Sequence, residues 1–437
     1  MDVIAGLSRA LDVTEGHPEG HAARSCVIAM GLANVLGLDE TPRGDLFHAA
    51  LLKDAGCSSN AARMHQLFGG SDHHAKRAVW LTDWRNWSEK MRYMTAFMGR
   101  GEGLVTRVAR WSRLAAAGPK AEQELFQIRC DRGAAIALDL GLSYETASAI
   151  RGMDEHWDGG GQPAGLRRGE ISLLAQIVGL AQVAEIFWHQ SGVDTAVGVA
   201  RRRSGRWFNP TLVHALEELG LNERFWNDLR TVDPVALLRA VAPAPALVAA
   251  DDASVDRVAE AFAGVIDAKS PFTHDHSRRV ADYAVAAATI LGFAPGRLAR
   301  LRRASLLHDV GKLAVSNSIL DKPGALTQAE WASMREHTRH SLEILESVPV
   351  FRDVAFDAAC HHERLDGTGY HLGLAGAALS PSARVLAVAD VTDALRSDRP
   401  YRAGLDAERV VGMLTADAAS GKLCHQSVRA MVTVLRG

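Results

Sequence analysis

The sequence predicts an all-α protein built from two helical domains of one kind in tandem, the second carrying an intact metal site. Three observations predict it. Apolar residues recur at helical spacing almost throughout, while alternating β-branched runs are nearly absent. One ordered set of residues occurs twice, worn in the first half and complete in the second. In the complete copy, histidines and aspartates interrupt otherwise apolar helix faces in a way that calls for a buried cation.

Bulk properties narrow the classes of function. With 437 residues, 47% hydrophobic and 23% charged, the chain can bury ordinary globular cores and is long enough for two or three domains. The formal charge of −2 and the scatter of basic residues argue against a grip on long nucleic acid, and leave a small anionic substrate open. Cys26, Cys57, Cys130, Cys360 and Cys424 lie far apart with no C-x-x-C pair, which speaks against a disulfide framework or a cysteine zinc site and fits a reducing cytoplasm. The stretch from Met1 to Gly6 lacks a basic region followed by an apolar core. The most apolar run, Leu173 to Trp188, is broken by Gln176, Gln182 and Glu185, so neither an export signal nor a membrane span is expected.

The helical pattern breaks around Val241-Ala242-Pro243-Ala244-Pro245-Ala246, and Asp251-Asp252-Ala253-Ser254 then provides N-capping residues for a new helix. The expected organisation is a first domain over 1–242, a linker over 243–256 and a second domain over 257–437. The repeat shows in its spacings. His276 precedes His308 by 32 residues, as His21 precedes Lys53; Asp366 precedes Asp390 by 24, as Asp158 precedes Gln182. Lys53 to Arg129 is 76 residues against 29 from His308 to His337, which places an insertion around 60–125 carrying Trp80, Trp84, Trp87 and Trp111. A hydrophobic core is the first expectation for these tryptophans and an interface the second.

In the second half, His276 should open a helix, and the apolar run Leu298 to Leu307 should close at His308-Asp309 before Gly311. His337 lies in the next helix, His361-His362 end the helix that starts near Asp353, and Asp390 sits inside an apolar helix. An unpaired carboxylate there costs several kcal/mol, so it needs a cation or a hydrogen-bond partner. Five imidazoles and two carboxylates are too many for one tetrahedral ion, and the lack of thiolates disfavours structural zinc; two octahedral ions bridged by Asp309 use them all. Such a pair suits phosphoester hydrolysis, because it lowers the pKa of water and neutralises phosphoryl charge. Lysine is scarce, eight in all, yet Lys312 falls one turn from Asp309, where its ammonium can neutralise phosphate or protonate a leaving group. His274, His340, His425 and the pair His73-His74 read as ordinary side chains. Asp366-Gly367-Thr368-Gly369 is a tight turn that can carry Tyr370 over a substrate base.

Residues from about 265 to 405 resemble an HD-GYP domain, a branch of the HD phosphohydrolases. The resemblance rests on His276-Ser277-x-Arg279-Val280, His308-Asp309-Val310-Gly311-Lys312, Lys322-Pro323-Gly324-x-Leu326-Thr327, His337, His361-His362-Glu363-Arg364-x-Asp366-Gly367-Thr368-Gly369-Tyr370, Val388-Ala389-Asp390-Val391-x-Asp393 and Arg399-Pro400-Tyr401-Arg402. It implies a bacterial cytoplasmic signalling enzyme that hydrolyses a cyclic dinucleotide, cyclic di-GMP or 3'3'-cyclic GMP-AMP, through a hydroxide held between two divalent ions. Iron is the metal implied and manganese its substitute. By the same resemblance His276, His308, Asp309, His337, His361, His362 and Asp390 are the ligands, Asp309 and Lys312 serve catalysis, and Lys312, Tyr370, Arg399 and Arg402 contact the substrate. Two departures stand out. His371 occupies the place of the signature proline, which is expected to loosen the loop and alter specificity before catalysis. Phe272 stands where members with a third metal carry an acid, so a binuclear site is expected.

The same ligand positions carried onto the first half fall on His21, Lys53, Asp54, Arg129, Glu155, His156 and Gln182, so that three of seven survive. Lys53 and Arg129 put cations where metals belong, Cys57 replaces the lysine and Gln162 the tyrosine. This half is expected to be catalytically dead, with a role in packing, homodimer formation, ligand sensing or docking of a protein partner. Two rival readings of the whole chain remain: an HD phosphohydrolase acting on mononucleotides, and a non-catalytic cyclic-dinucleotide sensor or interaction module.

Overall fold

A computed structural model describes residues 2–60, 82, 87–97, 104–244, 251–270, 273–322, 324–398 and 403–437. Among the described residues regular structure is helical, with two isolated bridge pairs and no strand, as the periodicity predicts. No described helix is long and apolar enough to cross a membrane. The chain divides into two compact units, Met1–Asp251 and Asp252–Gly437.

The first unit contains α1 (Asp2–Glu15), α2 (His21–Val35), α3 (Glu40–Leu52), α4 (Trp87–Phe97), α5 (Leu104–Asp139), α6 (Tyr144–Gly152), α7 (Leu173–Ser191), α8 (Val193–Arg203), α9 (Pro210–Gly220), α10 (Glu223–Thr231) and α11 (Pro234–Val241). Small residues on α2 (Ala22, Ala23, Cys26, Ala29, Ala33) let α3 and α7 approach closely, so α2 is buried almost all round. Ser143, Asn209 and Asp233 cap α6, α9 and α11 by accepting hydrogen bonds from the first backbone N–H groups, which no residue within the helix can satisfy. Trp87 departs from the expectation of a core residue and is 75% exposed. It opens α4, whose following residues Ser88, Glu89 and Lys90 are polar, and that helix buries Tyr93 and Met94 instead. Trp80 and Trp84, and the pair His73-His74, lie outside the described residues.

The second unit starts earlier than the expected linker allows. Helix α12 (Asp252–Asp267) begins inside the 243–256 segment because Val255, Val258, Ala259 and Phe262 recur at helical spacing and are buried. There follow α13 (His276–Ile290), α14 (Pro295–Leu307), α15 (Asn317–Leu320), α16 (Gln328–Ser347), α17 (Arg352–Ala359), α18 (Pro381–Arg396), α19 (Ala407–Ala419) and α20 (His425–Arg436). Helix α18 is the axis of this unit: Ser380 caps it, Pro381 starts it, and it packs against α13, α17 and α20 with nearly every residue from Ser382 to Asp393 buried. Two of those buried residues, Asp390 and Asp393, lie one turn apart and must find partners on the same face. A capping box between Thr327 and Glu330 sets the start of α16, and Asp267 at the end of α12 accepts from the Ser277 N–H and hydroxyl, fixing the first turn of α13.

One close approach locks the ligand-bearing segments together. After α14 the chain makes a 3-10 turn, Val310–Ala314, in which Gly311 lies against α16. A Cβ on Gly311 would fall 1.9 Å from the His337 carbonyl oxygen and 2.6 Å from the Ser341 nitrogen. In the first unit a Cβ on Gly56 would fall 1.9 Å from the Arg129 carbonyl oxygen and 2.7 Å from the Gly133 nitrogen. The identical contact makes Arg129 the structural counterpart of His337. Because the obstruction is backbone, no rotamer change relieves it, and Gly311→Ala is expected to destabilise the protein by about 3 kcal/mol, the upper range for overpacking, read as a lowered midpoint in thermal or urea unfolding.

Candidate metal centre

All seven ligands predicted for the second half come together in one cluster, buried except for His362, which is partly exposed. His276 is the first residue of α13, His308 closes α14, Asp309 opens the 3-10 turn, His337 lies in α16, His361 and His362 end the turn after α17, and Asp390 faces in from α18. Asp309 is at the centre. Its Oδ2 lies 3.5 Å from His276 Nε2 and 3.3 Å from His308 Nε2, while its Oδ1 lies 3.5 Å from His337 Nε2 and 3.6 Å from His361 Nε2. Asp390 closes the remaining side, with Oδ1 3.5 Å from His276 Nε2 and Oδ2 3.8 Å from His362 Nδ1.

Hydrogen bonds on the outer side of each ring decide which nitrogen faces inward. The Nδ1 atoms of His308, His337 and His361 lie 2.7, 2.6 and 2.7 Å from the carbonyl oxygens of Ser305, Met334 and Ala358. A carbonyl only accepts, so each Nδ1 carries the proton and each Nε2 presents a lone pair to the cluster. His337 Nε2 and His361 Nε2 then face each other at 3.2 Å, an arrangement that needs a cation between two lone pairs. A proton is a poor candidate, because burial, aided by the neighbouring imidazole, pushes His337 down to about 3, and burial also lowers His361 and His362. His308 Nε2 and Asp309 Oδ1 are buried without a hydrogen-bond partner. Imidazole and carboxylate donors that converge within 4.8 Å, with no thiolate among them, fit a divalent transition metal.

The supporting residues are ones to which the sequence reading assigned no role. Asp393 Oδ2 lies 2.6 Å from His276 Nδ1, and Arg279 holds the same carboxylate through Nε at 2.6 Å and Nη2 at 3.1 Å. The carboxylate thus orients the ring and makes its inward nitrogen more basic. The spacing Asp390-x-x-Asp393 contained the signal, since residues three apart share a helix face. Burial works to raise the Asp309 carboxyl, but His308 and Lys312 outweigh it and hold it well below the usual carboxylate range.

Of the predicted substrate contacts, Lys312 Nζ lies 2.5 Å from Asp309 Oδ2, and the Tyr370 ring lies 4.8 Å from His362. Arg399, Arg402 and Phe272 lie outside the described residues. The loop bearing Tyr370 is tied through its backbone to Glu363. Glu363 accepts from the backbone N–H groups of Leu372, Gly373 and Leu374 at 2.8, 3.2 and 3.0 Å, which pins the loop. His371 adopts φ 88°, whereas a proline ring would hold φ near about −65°.

The first unit keeps the frame and changes the contents. Glu185 pairs with His21 Nδ1 and accepts from Arg24 Nε at 2.6 Å, repeating the Asp393, His276 and Arg279 arrangement. Glu155 accepts from Ala164 and Leu166 N–H groups at 2.7 and 3.0 Å, as Glu363 does from Leu372 and Leu374. This corrects the carried-over positions. Glu155 and His156 are not the counterparts of His361 and His362; Met153 and Asp154 are, and of the seven ligands only His21 and Asp54 survive. The paired aspartates give the same answer, since His361 and His362 lie five and four residues before Asp366, as Met153 and Asp154 lie five and four before Asp158. Lys53 Nζ sits 3.0 Å from His21 Nε2 and pairs with Asp54, while Arg129 pairs with Asp154, all of them buried. Built-in cations thus balance the carboxylates.

Residues 260–423 match the HD domain family. The chain is 40% identical to the 3'3'-cGAMP-specific phosphodiesterase 3 of Vibrio cholerae over 414 residues, covering 94% of this chain and 90% of that protein. It is 38% identical to a cyclic di-GMP phosphodiesterase of Pseudomonas aeruginosa over 162 residues, 36% of this chain and 39% of that one. Among solved structures, a cyclic GMP-AMP specific phosphodiesterase of V. cholerae matches with a TM-score of 0.66 at 33% sequence identity, covering 100% of this chain and 97% of that chain.

Two outcomes test this geometry. Asp393→Asn removes the negative charge behind His276 and the ion pair that Arg279 makes with it, and is expected to weaken metal binding about 10- to 100-fold, measured by competition with a chromogenic chelator. Lys53→Met strips Asp54 of its buried partner and is expected to cost about 3–5 kcal/mol, read from urea unfolding.

Proposed function

The chain belongs to the HD-domain phosphodiesterases of the HD-GYP type, and from that premise we propose that it hydrolyses a cyclic dinucleotide, 3'3'-cyclic GMP-AMP or cyclic di-GMP. One observation carries the reading: the two oxygens of a single buried carboxylate, Asp309, each face a separate set of histidines. That arrangement favours two divalent ions, with His276, His308 and Asp390 on one side, His337, His361 and His362 on the other, and Asp309 shared. The family resemblance implies iron, with manganese as substitute, and the imidazole and carboxylate set is compatible with either. When bound, such ions lower the pKa of water and offset charge on phosphoryl oxygens.

The chain's own residues do the rest. The outer hydrogen bonds of His276, His308, His337 and His361 hold the donors in place before substrate arrives, so no reorganisation is needed during reaction. Lys312, one turn from Asp309 and partly exposed, brings an ammonium to the rim, where it neutralises phosphate charge as the oxygen of water joins phosphorus and the ribose oxygen departs with a proton. Tyr370 walls the site beside His362, and Arg399 and Arg402 are assigned to phosphate or a guanine edge. The first unit, with Lys53 and Arg129 in the place of metals, is assigned a non-catalytic role in homodimer contact, ligand sensing or docking of a protein partner.

Similarity across nearly the whole chain to a 3'3'-cGAMP-specific enzyme favours that substrate. Manganese- or ferrous-loaded protein is expected to linearise it faster than cyclic di-GMP in product chromatography, with turnover lost in the His308→Ala/Asp309→Ala double variant. Bound metal without turnover of either compound would overturn the reading.

A further inference from the structure

Helix α16 contributes His337 to the centre, but its exposed face carries residues that the hydrolytic chemistry does not use. Trp331 and Arg335, four residues apart, share that face. Trp331 is 46% exposed, and Arg335 is exposed with no salt-bridge partner among the described residues. The Arg335 guanidinium lies 5.4 Å from the Tyr370 ring centre and 6.0 Å from that of Trp331. Tyr370 in turn lies 4.8 Å from His362. A continuous ladder of flat groups therefore leads from solvent through Trp331, Arg335 and Tyr370 to the metal centre.

Nothing internal to the fold accounts for this ladder. Cation–π contacts at exposed positions are weak, and neighbouring charges on α16 are already matched, Arg339 with Glu336 and Glu343. An indole face open to solvent beside a guanidinium whose N–H edge has no hydrogen-bond partner among the described residues is the equipment used elsewhere to hold nucleobases: the ring stacks, and the planar fork donates two hydrogen bonds to O6 and N7 of guanine. Lysine cannot replace that fork, because its ammonium is a point charge without bidentate geometry.

We infer that Trp331 and Arg335 form a guanine-binding subsite of the catalytic unit, Trp331 stacking on the base and Arg335 reading its O6 and N7 edge while the phosphate lies at the metal centre. The inference rests on the cyclic-dinucleotide reading above. It makes Arg335 a determinant of which cyclic dinucleotide is accepted, acting through binding and leaving the chemistry to the cluster.

Steady-state kinetics on the full-length metal-loaded chain test it, using 3'3'-cyclic GMP-AMP, cyclic di-GMP, cyclic di-AMP and the baseless diester bis(4-nitrophenyl) phosphate. For Arg335→Ala, Arg335→Lys and Trp331→Ala, kcat/KM on the guanine-containing compounds relative to the baseless diester should fall at least about tenfold, the smallest effect expected of a lost bidentate base contact. The loss should appear mainly in KM. Trp331→Phe, which keeps a stacking face, should retain most of the ratio, and the preference for guanine over cyclic di-AMP should shrink in both Arg335 variants. An unchanged ratio in all variants would overturn the subsite while leaving the functional reading intact. Wild-type turnover of the baseless diester alone would overturn the functional reading and the subsite with it.

Discussion

The Asp309 carboxylate sits almost wholly out of water between imidazoles whose outer nitrogens are already engaged, and the second unit is organised around stabilising that charge. An ionised carboxylate so placed costs several kcal/mol unless cations or donors surround it. Each element that borders it supplies something toward that end: the close of α14, the first turn of α13, the middle of α16, the turn after α17 and the buried axis α18. Gly311 lets α16 come near enough for His337 to take part, and Asp393 with Arg279 holds His276 in register. A donor set arranged this way is already organised for a divalent cation, so binding requires little rearrangement.

The first unit shows the same constraint answered by other means. Its Asp54 is equally buried, and the ammonium of Lys53 and the guanidinium of Arg129 supply positive charge without any ion. Burial works to raise Asp54, yet Lys53 and His21 hold it below its ordinary value. The supports survive almost unchanged, Glu185 behind His21 and Glu155 beneath its loop, because they hold backbone and helix geometry whatever occupies the centre. The groups that touch the cation have changed, and those that hold the fold have not. Covalently attached cations at these positions also repel an incoming metal.

Between catalytic cluster and solvent, the two loops diverge as well. In the second unit Glu363 ties Leu372, Gly373 and Leu374 together and leaves Tyr370 beside His362, with His371 in a backbone region closed to proline. This rim, where Tyr370 meets α16 through Arg335, is the place of the base subsite inferred above.

Much of this was legible in the chain itself. Helical periodicity determined the all-α fold, the paired spacings of 32 and 24 residues revealed the repeat, and seven polar residues on apolar faces identified the cluster, because a buried charge has few alternatives to a cation. The same spacing extends into the loop, since His361 precedes Asp366 by five residues as Met153 precedes Asp158. Placing the histidine pair on Glu155 and His156 departs from that spacing by two residues, and the matching hydrogen bonds to Glu155 and Glu363 agree with Met153 and Asp154 as the counterparts of His361 and His362. Asp393 and Arg279, 114 residues apart, meet at one imidazole. Tertiary structure alone decided such partners, the tautomer of each histidine and which histidines face each oxygen of Asp309, since all depend on directions of approach that a linear sequence does not encode.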